Sequence, residues 1–118
     1  MALDDLVHRL RAELGAAAVI TDRQELRTYE CDGLAHYKVT PAVVVLPRTT
    51  AQVAAVVQAC IDHRVPYVAR GSGTGLSGGA LPHAEGVLVV TSQMRDLRAV
   101  DVADQRAVVQ PGVINLHV

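Results

Sequence analysis

The sequence predicts an α+β domain built on a small mixed sheet with flanking helices, and it speaks against a Rossmann unit. Three observations carry this. A β-branched run, Ala42 to Leu46, is bounded by Pro41 and Pro47 and leads through a helical pattern into a second short strand, Tyr67 to Arg70. A block with five glycines in nine positions, Gly71 to Gly79, then runs on to Pro82 and Gly86 with no helical pattern. Two alternating segments, Leu97 to Asp101 and Arg106 to Gln110, follow the strand Val87 to Thr91 and read as a further pair of strands.

The elements follow in order. Leu3, Leu6, Val7, Leu10 and Leu14 recur at helical spacing, with acids in the first turn and Gly15 placed to stop the helix. Thr21 and Asp22 each offer an N-cap oxygen, with Gln24 and Glu25 three residues on, so a short helix is expected from Arg23 to about Tyr29. Cys31 to Thr40, with Gly33, reads as a connecting loop. Thr49 can cap the next helix, with Gln52 at the capping-box position and Val53, Val56, Val57, Cys60 and Ile61 as its apolar stripe. The strand–helix–strand unit that results is expected to cross over right-handedly. A turn at 102–105 joins the last two strands, Pro111-Gly112 ends them, and Val113 to Val118 begins a further element. Residues 1–40 thus read as an amino-terminal helical arm, and 41–118 as the first part of the domain it is attached to.

Composition narrows the function. The chain has 118 residues, enough for one small domain with a core and too few for two. Half the residues are hydrophobic, but there is no Phe or Trp and the aromatics are Tyr29, Tyr37 and Tyr67, so the core is expected to be small and aliphatic. Eleven basic against twelve acidic side chains leave no field that would attract nucleic acid or an anionic membrane. No run approaches the roughly 20 apolar residues of a membrane span, and the mixed Met1 to Leu14 segment is unlike a secretory signal, which points to a soluble cytoplasmic protein. Cys31 and Cys60 lack a partner spacing and read as plain buried or half-buried thiols. His8, His36, His63, His83 and His117 are scattered singly, so no metal site is expected. Asp101 and Asp104 read as turn residues, and His63 with Arg64 as favourable charge at a helix end.

The glycine block carries the chemistry. Each glycine costs conformational entropy and offers nothing to pack, so something must come close to the backbone there. Successive N–H groups freed by positive φ make a concave anion site, the device that holds phosphates. Ser72, Thr74 and Ser77 add hydroxyls. Arg70 adds a cation at the loop's start, for a phosphate or structural role in the site, with a salt bridge at the core rim as the plainer reading. A Gly-rich surface connection is the structural alternative for the block as a whole. Gly73 to Gly78 matches GxGxxG literally, but that fingerprint needs its third glycine inside a helix, and here Gly79, Pro82 and Gly86 follow instead. A P-loop fails too, since no Gly-Lys-Ser or Gly-Lys-Thr is present.

Leu46-Pro47-Arg48-Thr49-Thr50 leading into a helix, then Val65 to Pro82 with its long glycine block, resembles the FAD-binding domain of the vanillyl-alcohol oxidase (PCMH) type. Tyr29-Glu30-Cys31-Asp32-Gly33-Leu34 and Val109-Gln110-Pro111-Gly112-Val113 add a closer similarity to the D-subunit family of glycolate oxidases, covering about Glu25 to the carboxyl end. The resemblance implies an FAD held without a Rossmann fold, with Pro47 in the site. Its pyrophosphate would lie along Arg70, Gly71, Ser72, Gly73, Thr74 and Gly75, the neighbourhood completed by Leu76, Ser77 and Gly78. Pro111 and Gly112 would approach the flavin side. Relatives that bind flavin covalently through this loop carry a His where Thr74 stands, so the flavin is expected to be non-covalent.

The reaction implied is oxidation of a small 2-hydroxy acid, glycolate or D-lactate, by hydride transfer to the flavin, with electrons leaving to an acceptor other than a nicotinamide. The family's catalytic residues lie beyond this chain, so none is nominated, and the chain alone is expected to be inactive and to bind FAD weakly or not at all. An iron–sulfur subunit and a second flavin-domain subunit are the partners implied, with any membrane contact made through them. Alternatives are a D-lactate, D-2-hydroxyglutarate or alkyl-phosphate-type flavoenzyme of the same fold, a non-enzymatic fragment that pairs through its strand edges, and, least, nicotinamide binding.

Overall fold

The computed structural model describes residues 2–31 and 37–118. The expected loop residues Asp32 to His36, including Gly33 and part of the Tyr29 to Leu34 similarity, lie outside the described residues, as does Met1. Among the described residues, six strands and three α-helices form in the order α1 (Ala2–Leu14), β1 (Val19–Ile20), α2 (Arg23–Arg27), β2 (Val43–Val45), α3 (Thr50–Asp62), β3 (Tyr67–Arg70), β4 (Val87–Val90), β5 (Leu97–Asp101) and β6 (Arg106–Val109).

The main sheet has the order β1-β2-β4-β3. β2, β4 and β3 run parallel, with Val44 opposite Leu88 and Leu88 opposite Val68, while β1 joins the edge antiparallel through Val19–Val45. The sheet is therefore mixed. The β-α-β unit spans a gap that β4 later fills, so β2 and β3 flank a strand that follows both in sequence.

β2 is buried on both faces, with Val43, Val44 and Val45 all at 0 % exposure. Alternation then sorts the core. Val43, Val45, Val87 and Val89 face Leu6 and Leu10 of α1 and Val56, Ala59 and Cys60 of α3, while Val44, Leu88 and Val90 face Leu26 of α2. Each fully buried Val or Leu contributes about 1.5–3 kcal/mol relative to exposure, which makes this two-faced aliphatic sandwich the main source of stability in a chain without Phe or Trp.

Several local details differ from expectation. β1 carries no periodic signal in two residues and is held by Leu46 N–H to Ala18 O as well as by its pairing with β2. Asp22 is the oxygen that caps α2, accepting from Gln24 N and Glu25 N at 2.9 and 3.2 Å, whereas Thr21 Oγ1 accepts from Arg11. α2 stops at Arg27, with Thr28 and Tyr29 forming a turn. Thr49 Oγ1 accepts from Gln52 N at 3.1 Å as expected, but the Gln52 carboxamide oxygen accepts from Arg48 N, one residue before the cap. The buried stripe of α3 is Val56, Ala59 and Cys60, with Ile61 56 % exposed, because the helix is rotated toward its small residues.

β5 and β6 pair antiparallel as a separate ribbon with an irregularity between Leu97 and Ala99. Its turn uses Asp101 Oδ1 as acceptor for Asp104 N at 3.0 Å, and Arg106 pairs with both aspartates. Val113 to Val118 ends in one short 3-10 turn, Asn115–His117. No helix among the described residues is long and apolar enough to cross a membrane.

Candidate functional site

Because β2, β4 and β3 are parallel, their carboxyl ends share one edge of the sheet. In open α/β sheets that edge is where ligands bind. Here it carries Pro47-Arg48 after β2, the glycine block after β3 and the Thr91–Met94 turn after β4.

Hydrogen bonds link these segments. Arg70 O accepts from Thr91 N at 2.9 Å and from Thr91 Oγ1 at 3.3 Å, joining the glycine block to the end of β4. Gly112 N donates to Met94 O at 2.8 Å. Gln110, only 6 % exposed, exchanges bonds with Asp96 at 2.9 Å each way and donates through Nε2 to Arg48 O at 3.3 Å. The expected site segments around Pro47, Arg70 and Pro111-Gly112 are thus built into one hydrogen-bonded edge. Gln110 is the strut between two of them. The sequence alone assigns it no role, since a Gln ending a strand beside a Pro looks like an ordinary surface position; its burial is the only signal.

Gly112 sits close against the Thr91–Met94 turn: a Cβ there would lie 2.6, 2.7 and 3.0 Å from the carbonyl oxygens of Thr91, Met94 and Ser92. Only a residue without a side chain fits. Pro47 is buried and Pro111 exposed.

The glycine block rises from Arg70 as an open loop with no helix between β3 and β4, so the Rossmann geometry is absent. Gly73 and Gly78 have φ of 77° and 78°. The positive φ at Gly73 is one that residues with a side chain rarely adopt, and a Cβ there would also press on Arg70 Cδ at 3.2 Å. Among the described residues, the backbone N–H groups from Gly71 through Ala80 have no hydrogen-bond partner. Cβ atoms at Gly71, Gly75 and Gly79 would meet nothing within 4 Å, so those backbones face open space. Ser72 Oγ and Thr74 Oγ1 lie 3.1 Å apart, and Leu76 and Ser77 are exposed at the tip, Leu76 at 72 %. Open amides, hydroxyls and bare backbone together are what an anionic phosphate oxygen needs, and the residues present fit a pyrophosphate. Arg70 is 6 % exposed, and its Nε and Nη2 both donate to Ala80 O at 3.2 and 2.8 Å.

Other features lie elsewhere. A hollow of about 730 Å3 lined by Leu3, Arg23, Arg27, Pro41, Ala42 and Ala84, among others, is at the opposite edge, since Pro41-Ala42 and Ala84 precede β2 and β4. Burial pushes the Cys60 thiol up to about 11, and hydrogen bonds from Arg9 and then Gln58 hold the Asp62 carboxyl below its usual range; both residues are at the far end of α3. No group of three or more His, Cys, Asp or Glu residues among those described is placed to hold a metal.

Comparison with known proteins fits this geometry. The chain is 44% identical over 109 residues to the glycolate oxidase subunit GlcD of Escherichia coli (strain K12), covering 92% of this chain and 22% of that protein. It is 32% identical over 109 residues to a D-2-hydroxyglutarate dehydrogenase of Stutzerimonas stutzeri (strain A1501), covering 92% of this chain and 24% of the relative. The chain therefore spans about a quarter or less of these relatives. Among solved structures, p-cresol methylhydroxylase with substrate bound superposes with a TM-score of 0.79 at 24% identity, over 95% of this chain and 22% of that one, so the fold is the PCMH type. The profile of the FAD binding domain family matches residues 41–118, and with the mixed sheet and strand-to-strand glycine loop in view, the chain belongs to that family, whose cofactor is FAD.

Proposed function

We propose that this chain carries the pyrophosphate-holding part of an FAD site in a longer flavoenzyme that oxidises a small 2-hydroxy acid, glycolate to glyoxylate or D-lactate to pyruvate. The observation that carries the reading is the run of unpartnered amides from Gly71 to Ala80, in a chain 44% identical over 109 residues to a glycolate oxidase subunit. Residues 41–118 are the first part of the FAD-binding domain and residues 1–40 an arm that packs against it.

In this reading the amides of Gly71 to Gly75, with the Ser72 and Thr74 hydroxyls, bind the diphosphate, and Leu76, Ser77 and Gly78 complete its surroundings. Arg70 shapes the loop from beneath. Pro47 and the Pro111-Gly112 turn border the flavin side, held in mutual register by Gln110. Threonine at position 74 leaves the cofactor non-covalent here. Bound FAD supplies the hydride acceptor for the substrate carbon. The groups that bind the substrate carboxylate and take its hydroxyl proton belong to the rest of the enzyme, since hydride transfer needs near-attack geometry that this segment alone does not build. The enzyme works in the cytoplasm, with an iron–sulfur subunit and a second flavin-domain subunit as partners through which any membrane contact is made.

Anaerobic titration of the longer enzyme tests the reaction. Bleaching of the flavin bands by glycolate or D-lactate is expected. Bleaching by D-2-hydroxyglutarate alone would move the substrate to that of the Stutzerimonas stutzeri relative, and no response to any of the three would refute the substrate class. The isolated chain is expected to reduce no dye with glycolate.

A further inference from the structure

We infer that Arg70 is a positioning residue for the glycine loop, stapling Gly71–Ala80 into the shape that presents its amides, and that it is not itself the phosphate ligand. The inference rests on the reading of this loop as a pyrophosphate cradle. Three contacts made by one residue carry it. Its backbone oxygen is fixed to the sheet by Thr91 N and Thr91 Oγ1 at 2.9 and 3.3 Å. Its aliphatic stem lies under the first turn of the loop, where a Cβ at Gly73 would come within 3.2 Å of Cδ and 3.6 Å of Nε. Its head reaches the loop's far side, with Nε and Nη2 converging on Ala80 O at 3.2 and 2.8 Å.

Arg70 is 6 % exposed, so the guanidinium is beneath the loop and the exposed amides above it. Two donors on one acceptor fix the plane of the guanidinium and aim it at the protein's own carbonyl. Without that staple, a loop with five glycines between positions 71 and 79 samples many conformations, and ordering it falls on the ligand as lost affinity. Lysine separates the two roles. It keeps the positive charge and is itself a competent phosphate binder, but it cannot direct a planar fork at Ala80 O.

The test uses Arg70→Lys in this chain, without FAD, with 15N relaxation of the loop amides and a titration with inorganic pyrophosphate followed by amide shifts. The wild-type loop is expected to be ordered. In Arg70→Lys the order parameters of residues 71–80 should fall toward the flexible range, below about 0.6, while those of the strands are unchanged. Pyrophosphate affinity should drop about tenfold. A loop that stays as rigid in Arg70→Lys as in the wild type overturns the inference, and so does a mobile loop that still takes pyrophosphate with wild-type affinity. If pyrophosphate moves no loop amide in the wild-type chain and also fails to bind the FAD-free longer enzyme, the cradle reading fails, and with it the claim that the staple serves binding, while the order parameters still decide whether the staple exists. If Arg70→Lys does not fold, the wild-type side chain decides: an Arg70 Nε–H as protected from exchange and as ordered as the strand amides supports the staple to Ala80 O, and a mobile, freely exchanging Nε–H overturns it.

Discussion

Among single residues, Gly112 and Cys60 carry the sharpest expectations. Three backbone carbonyl oxygens lie within 3.0 Å of where a Gly112 Cβ would stand, and backbone cannot swing aside as a side-chain end can. Gly112→Ala is expected to cost roughly 1–3 kcal/mol of stability in urea denaturation, the usual cost of overpacking. Cys60 is fully buried between α3 and the sheet, and its thiol is pushed up from 9.0 to about 11 by that burial. A raised folded pKa means that the neutral thiol's contribution is fully present below the unfolded value and is lost as pH rises through the folded one. Stability should therefore hold to about pH 9 and decline toward pH 11. Cys60→Ala, compared over the same range, should remove that share of the decline, and an unaltered alkaline limb would refute it. The burial of Cys60 is legible in the sequence from its place in the apolar stripe of α3, whereas the Gly112 expectation is not. In the sequence Gly112 is a breaker beside Pro111, and the oxygens that surround it come from residues 91–94, some twenty positions earlier.

Helix and strand limits are the most legible part of the chain, because local chemistry decides them. Thr49 caps α3 as its position before the Gln52 amide predicts, and Thr49→Ala is expected to lower stability by about 1 kcal/mol in thermal or urea unfolding. An effect near zero would mean that Gln52, through its bond to Arg48 N, holds the helix start unaided. β3 runs from Tyr67 to Arg70 as the sequence indicates, bounded by Pro66 and the glycine block. β1 escapes a reading of the sequence because two residues show no period and gain their structure from β2, which lies more than twenty positions on. The burial of Ala59 in place of Ile61 escapes for a related reason: periodicity gives a helix a face, but only the partner surface fixes its rotation. The insertion of β4 between β2 and β3 is likewise a matter of topology, and no strand's own residues encode it.

Across the described residues, the sheet with its three helices buries most of its apolar residues, Ile61 and Tyr67 apart, while the β5–β6 ribbon and the tail leave theirs largely outside. Val100, Val102, Val108 and Leu116 are 55, 82, 54 and 89 % exposed. Such surface favours association, so the chain should self-associate with rising concentration in sedimentation. Replacing Val100 and Val108 by Thr should reduce this while changing unfolding stability by no more than about 0.5 kcal/mol. The glycine loop's chemistry is legible in the sequence because its composition makes sense only if something approaches the backbone. The role of Arg70 is less so, since the carbonyl that engages its head is ten residues away around a loop with no regular structure. Whether this loop holds FAD without a covalent bond is decided by an absorption spectrum of the longer enzyme after incubation with FAD and gel filtration, repeated on the supernatant after acid precipitation. Flavin bands that co-elute with the protein and then appear in the supernatant are the predicted result. A protein that stays colourless, or a flavin that stays in the pellet, would contradict it.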